Sequence, residues 1–414
     1  MLRQVIKLTA TALMLCCVAL AGTQTAATCS YADVNTAVSA AANGDTVLIP
    51  GGTCNWGSSS LSITKGITIQ PVAGQTVTIN ATGTSSGTFH ISNTGDNPVR
   101  ISGDTGTVPD TCKSTGASCG LRIMNAQDPS FQKTDFAITG PARKFRIDHI
   151  YANQSDSFLC SNCGGASGQA WGVVDHSWIQ NFGRAYFAQD RRSADGPFGQ
   201  AAWTEFTGHE ASIAGSGQMV FFEDNTFTYN EQLPGGQWQA TVYGQYGGKG
   251  VFRYNTFQNA GHYFDAHGDL SPATNGYGTI LYEIYNNTFA SDGPYNQEGK
   301  LMYLRGGQFL IHDNAFTSSA QIIQLTVYYS TDLTAHRVQN TFIWNNTING
   351  SAQTSSIVDI ETSNGGYPQY YLRAPTTGDV YAGYTPYTYP HPLRGGGSRG
   401  SLPATPTGLT AAVH

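Results

Sequence analysis

Five short segments repeat one frame in which an Asn stands two residues before an apolar residue: FFEDNTF (221–227), VFRYNTF (251–257), EIYNNTF (283–289), LIHDNAF (310–316) and FIWNNTI (342–348). Their asparagines, Asn225, Asn255, Asn287, Asn314 and Asn346, recur at intervals of 30, 32, 27 and 32 residues. Two earlier segments, FRIDHIY (145–151) and VVDHSWI (173–179), fit the frame with His149 and His176 in the Asn place. A helical repeat of this length needs long runs of period 3.6. These segments are instead short, rich in β-branched and aromatic residues and bounded by Gly and Asn, so each period reads as about three short strands joined by turns.

Such a unit cannot bury its own apolar face and must stack on its neighbours, which predicts a parallel β-helix with equivalent positions about 4.8 Å apart from rung to rung. A polar Asn at one inward or corner position of every rung then bonds turn backbone and the Asn above and below. His149 and His176 are read as members of the same ladder. The open end of a solenoid exposes strand edge and needs a cap. YADVNTAVSAAANGDTVLIP (31–50) supplies one, with Asp33 as N-cap, an apolar stripe of Val34, Ala37 and Val38, Gly44 as the stop and a strand after it. The fold class is all-β, a β-helical solenoid with an N-terminal capping helix.

The first 21 residues carry Arg3 and Lys7, an apolar run from Leu8 to Leu20 and a small-residue end, the build of a cleaved secretory signal peptide. The mature chain is expected outside the cell, with no membrane insertion after cleavage. Six cysteines remain and fall into three local pairs, Cys29 with Cys54, Cys112 with Cys119 and Cys160 with Cys163, read as disulfides. The alternative for CSNC (160–163), half of a metal site, lacks a second Cys-x-x-Cys. The solenoid is expected over 28–383. Residues 384–402 are Pro- and Tyr-rich and then Gly-rich, read as an extended tail and linker, and 403–414 resemble the opening strand of a fibronectin type III module. Only 12% of residues are charged and the net charge is -6, which argues against nucleic acid or an anionic membrane as partner. That balance suits a secreted β protein with many turns, expected as a monomer.

One stretch departs from the repeat. YFDAHGD (263–269) follows its Asn strand with Asp265, His267 and Asp269, and His262 precedes it. Alternation along a strand turns Asp265, His267 and Asp269 outward together and His262 away from them. Aligned with LMYLRGG (301–307), IIQLTVY (322–328) and IVDIETS (357–363), the same face adds Tyr303 and Arg305, Gln324 and Thr326, and Asp359 and Glu361. This wall suits an extended sugar polymer, with Tyr303 and Tyr328 stacking on rings and Asp269, Asp359, Glu361 and Gln324 binding hydroxyls. As metal ligands, Asp265, His267 and Asp269 are weak candidates at an unusual spacing, and the bland alternative is a solvated polar face. DRR (190–192) and EFTGHE (205–210), with Asp190, Arg191, Arg192, Glu205, His209 and Glu210, read as surface ion pairs in a long insertion.

The cap, the rung period and the Asn ladder resemble the right-handed parallel β-helix proteins of the pectate-lyase-like superfamily over roughly residues 28–383. VVDHSWI is similar to that family's WIDH segment, through Asp175 and His176. YLRGGQFLIHDNAF (303–316) is similar to its segment with a catalytic arginine, through Arg305, Gly307, Asn314 and Phe316. The resemblance implies that Arg305 is the base abstracting the proton α to a uronate carboxylate, and that Lys300 is a second basic group. The family's calcium-binding acids would fall near Val242 and Tyr243, where none stands; Met302 replaces a proline and Leu310 a histidine. As ligand types, His262, Asp265, His267 and Asp269 suit zinc or manganese, and the Asp oxygens suit calcium.

Two chemistries are open on these residues. In β-elimination, Arg305, Lys300 and His267 neutralise a uronate carboxylate while His267, Tyr303 or Arg305 takes the C5 proton. In glycoside hydrolysis, two of Asp265, Asp269, Asp359 and Glu361 act as acid and base or nucleophile. The first is preferred. The reading from another class is a non-catalytic carbohydrate-binding adhesin or surface structural protein.

Overall fold

In the computed structural model the described residues are 21–82, 86–104, 112, 118–125, 133–162, 170–188, 212–230, 240–245, 247–259, 262–268, 278–291, 299–327, 337–361 and 368–395. They form a parallel β-helix whose strands stack into three long sheets of 12, 11 and 10 strands among the described residues. One rung reads Lys249–Arg253 in sheet 1, Thr256–Gln258 in sheet 2 and His262–Ala266 in sheet 3, and the next rung begins at Leu281–Tyr285 directly above Lys249–Arg253. Residues 1–20 of the expected signal peptide, residues 396–414, Cys163, Asp269, Tyr328 and the two insertion clusters at 190–192 and 205–210 lie outside the described residues. No helix among the described residues is long and apolar enough to cross a membrane.

The apolar residue of each Asn frame points inward and stacks on its equivalents. Phe227, Phe257, Phe289 and Phe316 form a column with ring centroids 4.8, 4.6 and 4.8 Å apart. Beside it runs the expected amide ladder: Nδ2 of Asn225, Asn255, Asn287 and Asn314 each donates to Oδ1 of the next Asn at 3.0–3.1 Å, ending on Asn346. Each Asn also donates to a main-chain carbonyl of an earlier rung, so the ladder satisfies the corner's buried polar groups.

His149 and His176 are not in this ladder. Strand register pairs Asp148 with Asp175 and Asp175 with Glu223, which puts His176 level with Asp224 and Ser177 level with Asn225. Ser177 N accordingly donates to Asn225 Oδ1 at 3.0 Å and Ile150 N to Ser177 Oγ at 3.1 Å. The histidines occupy the left-handed corner one residue earlier, at φ 57 and 53, a conformation shared by Asp224, Tyr254, Asn286, Asp313 and Asn345. Their rings stack on each other outside the ladder, centroids 5.1 Å apart. Matching His to Asn by polarity alone shifted the frame by one residue.

The cap is helix α1 (Tyr31–Ala40), burying Val34, Ala37 and Val38. Its N-cap is Ser30, whose side chain accepts from Asp33 N, so Asp33 sits in the first turn and is not the cap. Cys29 and Cys54 are bonded and tie the helix entry to the strand Gly52–Gly57; Cys112 and Cys119 are bonded too, and Cys160 is disulfide-bonded.

The boundary expected at residue 383 is not a boundary in packing. Residues 381–394 run back across the outer face of sheet 1, where Tyr381, Tyr384, Tyr387 and Leu393 close a second apolar cluster over Val173, Phe221, Val251, Leu281, Leu310 and Phe342. Arg394 Nη1 donates to Asp224 at 2.6 Å and Glu223 at 3.0 Å, Tyr384 Oη to Glu283 at 2.6 Å and Tyr389 Oη to Asp224 at 2.8 Å. A Tyr- and Pro-rich composition resembles a loose tail because it has no period; here its hydroxyls are the partners of acids buried on the sheet.

A candidate active site on sheet 3

Register places the wall residues as a column. Asp265 pairs with Tyr303, Tyr303 with Gln324 and Gln324 with Asp359, and the backbone bonds of His267, Arg305, Thr326 and Glu361 carry the same alignment one step further. The strands begin differently from a strict alternation. Tyr263 and Phe264 both point into the core, as do Leu301 and Met302, so the outward residues are His262, Asp265 and His267 on one strand and Lys300, Tyr303 and Arg305 on the next. His262 therefore lies on the wall and not away from it: its ring stacks on Tyr303, with centroids 6.2 Å apart and planes 21° apart. Two consecutive inward residues at the strand start shift the phase that alternation assumes.

The centre of the wall is a compact cluster. Arg305 donates from Nε and Nη2 to Asp265 Oδ1 at 3.1 and 2.6 Å, and Nη2 also lies 2.5 Å from His267 Nε2. An arginine has only donors, so Nε2 is the acceptor and the imidazole proton sits on Nδ1. Asp265, His267 and Arg305 are 2%, 4% and 7% exposed, which replaces the reading of a solvated polar face. Burial, then the charges of Arg305 and Arg184, hold the His267 pKa well below the usual imidazole value, so the ring is neutral. The Arg305 guanidinium lies 4.8 Å from the Tyr303 ring centre and Lys300 Nζ 4.0 Å from it, so two cations pack against one aromatic ring. Lys300 also donates to Gln324 Oε1, and Gln324 Nε2 to Asp359 Oδ2 at 3.2 Å.

Two residues of this surface escaped the sequence reading. Arg184, on the strand Arg184–Ala188, packs its guanidinium 4.5 and 5.1 Å from the rings of Phe187 and Tyr243. Tyr243 in turn sits 4.6 Å from the His267 ring and pairs with Asp265 in the ladder. The signal was present: RAYFA (184–188) and ATVYG (240–244) share the outward-inward-inward-outward phase of HYFDA (262–266), which strict alternation hides. Among the other expected residues, Asp175 and His176 belong to sheet 1, under Arg146 and Arg394, and not to this wall.

Of the candidate metal ligands, Asp265 and His267 are turned to a cation the protein already holds, and Asp269 lies outside the described residues. The Asp265 oxygen that would coordinate is within hydrogen-bond distance of a guanidinium, and the His267 nitrogen facing it accepts from the same group. Among the described residues no three His, Cys, Asp or Glu side chains converge as a metal site.

Fold and wall together define a three-sheeted parallel β-helix with a buried cation–imidazole–carboxylate cluster on one face. No family model matches the sequence, and no curated protein matches it. Among solved structures, an alginate lyase from Paenibacillus sp. str. FPU-7 superposes with a TM-score of 0.43 at 13% identity, over 85% of this chain and 96% of that one. A PL6 family alginate lyase, AlyGC, gives 0.41 at 14% identity over 84% and 51%. The catalytic unit of a GH87 α-1,3-glucanase from Streptomyces thermodiastaticus gives 0.40 at 13% identity over 82% and 64%.

Proposed function

We propose that this chain is a secreted, polysaccharide-active enzyme that cleaves a uronate-containing polymer by β-elimination on sheet 3. The observation that carries the reading is the contact of the Arg305 guanidinium with both Asp265 and a neutral His267 inside a buried cluster. A buried cation held in one geometry suits a carboxylate whose charge grows in the transition state. A neutral imidazole beside it suits the acceptance of a proton.

In this scheme the uronate carboxylate binds at Arg305 and Lys300. The C5 proton passes to His267 Nε2 as the Arg305 Nη2 hydrogen bond turns from that nitrogen to the carboxylate, Nε staying on Asp265. The C5–H electron pair forms the C4–C5 double bond, the C4–O bond breaks, and the leaving oxygen takes a proton for which Tyr303 is the candidate donor. Asp265 acts by holding Arg305 in place. Tyr303 and Tyr243, both half-buried, provide ring surface for neighbouring sugars.

Hydrolysis is the weaker reading on this wall. Asp265 and Asp359 are three ladder steps apart, which is about 14 Å at the usual strand spacing, beyond either two-carboxylate arrangement. Only Asp359 with Glu361 keeps a usable separation among the described acids of the column. The export signal at the N-terminus and the disulfides support an extracellular site of action. The test is a panel of polyuronates and neutral glycans, following both the absorbance of an unsaturated uronate and new reducing ends. The two rising together supports elimination; reducing ends alone would transfer the chemistry to the carboxylates.

A further inference from the structure

His267 is held along the solenoid axis from both neighbouring rungs. Its main chain is fixed first: His267 N donates to Gly244 O at 2.9 Å, and Thr279 N donates to His267 O at 2.8 Å. The imidazole then keeps rotation about its two side-chain torsions. From the following rung Arg305 Nη2 sits on Nε2 at 2.5 Å. From the preceding rung the Tyr243 ring lies 4.6 Å from the imidazole, with the planes 57° apart. Tyr243 is braced in turn by the rung before its own. Phe187, its register partner there, meets it edge to face with centroids 5.4 Å apart. The Arg184 guanidinium packs on both rings, 4.5 Å from the centre of Phe187 and 5.1 Å from that of Tyr243.

We propose that Tyr243 is a positioning residue for His267, keeping the imidazole aimed at C5 once Arg305 has turned to the substrate, and that Arg184 with Phe187 is the brace that keeps Tyr243 in place. The proposal rests on reading His267 as the base of an elimination. In that step the Arg305 bond must leave Nε2, because the lone pair that accepts it is the one that receives the proton. The contact from the following rung is therefore given up when the aim of the ring matters most. The contact with Tyr243 is made ring to ring, does not occupy Nε2 and persists through the transfer. It needs the aromatic plane and not the hydroxyl. Ring surface that Tyr243 gives a sugar acts on substrate and transition state alike and is read in KM, whereas the aim of the base is read in kcat.

The experiment measures kcat and KM for unsaturated-product formation on a polyuronate by the full chain, with urea midpoints alongside, for Tyr243→Leu, Tyr243→Phe, Arg184→Met and the double variant of Arg184→Met with Tyr243→Leu. Tyr243→Leu should lower kcat about tenfold, the scale on which a misaimed group slows a reaction. Tyr243→Phe keeps the plane and should recover most of that loss. Arg184→Met should lower kcat about threefold, and the double variant should be no slower than Tyr243→Leu, because the brace acts through the ring. Arg184→Met leaves the ring in the chain, so it decides the matter if Tyr243→Leu does not fold: a wild-type kcat in it overturns the proposal. A change confined to KM, kcat losses that multiply in the double variant, or Tyr243→Phe as slow as Tyr243→Leu also overturns it, and each leaves the elimination reading standing. A wild type that yields no unsaturated product on any polyuronate overturns that reading, and the positioning role falls with it.

Discussion

Arg305 Nη2 lies 2.5 Å from His267 Nε2, so a cation and a neutral imidazole share one hydrogen bond in a site less than a tenth exposed. The imidazole remains uncharged because it is buried and faces Arg305 and, further off, Arg184. In the proposed elimination it must be neutral to receive a proton. The rate, as kcat/KM against pH, should therefore show no inflection near 6.5, the usual imidazole value. An inflection there that vanishes in His267→Gln would mean that His267 titrates as an exposed histidine.

Asp265 holds the Arg305 charge and makes no proton transfer in the scheme. Asp265→Asn should lower kcat more than it raises KM, because the guanidinium is still present but no longer fixed, and its effect and that of Arg305→Lys should be strongly non-additive. A double-mutant cycle in kcat/KM reads this directly; additive effects would separate the two residues.

Glu283 lies fully buried beneath the returning C-terminal segment. Burial raises its pKa from an ordinary value of 4.5 to about 7, against hydrogen bonds from Tyr384 Oη and Gly215 N and the charge of Arg253, which lower it. A folded pKa above the unfolded one means that the folded state binds the extra proton, so the contribution is present below pH 4.5 and is lost as pH rises through 7. Wild-type stability should fall between pH 5 and 8 by up to about 3 kcal/mol from this group. Denaturant midpoints of Glu283→Gln should be flatter over that range, and parallel curves would contradict the assignment.

Opposite behaviour is expected in acid. Asp148 and Asp175 are fully buried, which by itself raises a carboxylate pKa, but Arg100, Arg146 and the hydrogen bonds of His149 and His176 hold both below the usual range. Their contribution is present above pH 3.8 and lost as pH falls through their folded values. Removing Arg394, which sits on Asp175, Glu223 and Asp224, should leave buried charge poorly compensated and cost about 3–5 kcal/mol, seen as a lowered urea midpoint in Arg394→Ala. An unchanged midpoint would mean that the C-terminal segment adds nothing to the fold.

The amide ladder gives a structural control. Asn255 donates to Asn287 Oδ1 and Phe222 O and accepts from Asn225, so Asn255→Ala orphans groups on both neighbouring rungs and should cost about 2–4 kcal/mol in thermal or chemical unfolding. Asn255→Asp, which keeps the acceptor and loses the donor, should fall between.

The architecture was legible because its signal repeats. The Asn frame of residues 221–227 recurs four times, and every recurrence stacks as expected, down to the bond between Asn314 and Asn346. The wall was legible in part: the column from Asp265 through Tyr303 and Gln324 to Asp359 follows from alignment of apolar positions. His262, Arg184 and Tyr243 were lost because the strands of sheet 3 begin with two consecutive inward residues, a phase change that polarity patterns do not mark. His149 and His176 were misread for the converse reason, since a polar residue at a left-handed corner and one in the ladder beside it look alike in sequence. The C-terminal segment could not be seen at all, because its packing depends on matching Tyr384, Tyr389 and Arg394 to acids more than a hundred residues away.

The most direct test of the central claim is the initial rate of unsaturated-uronate absorbance on a polyuronate for wild type and Arg305→Ala. The account predicts a signal that rises with reducing ends in wild type and falls about 10²–10³-fold in the variant, with circular dichroism unchanged. Reducing ends without absorbance, or a variant as fast as wild type, would contradict it.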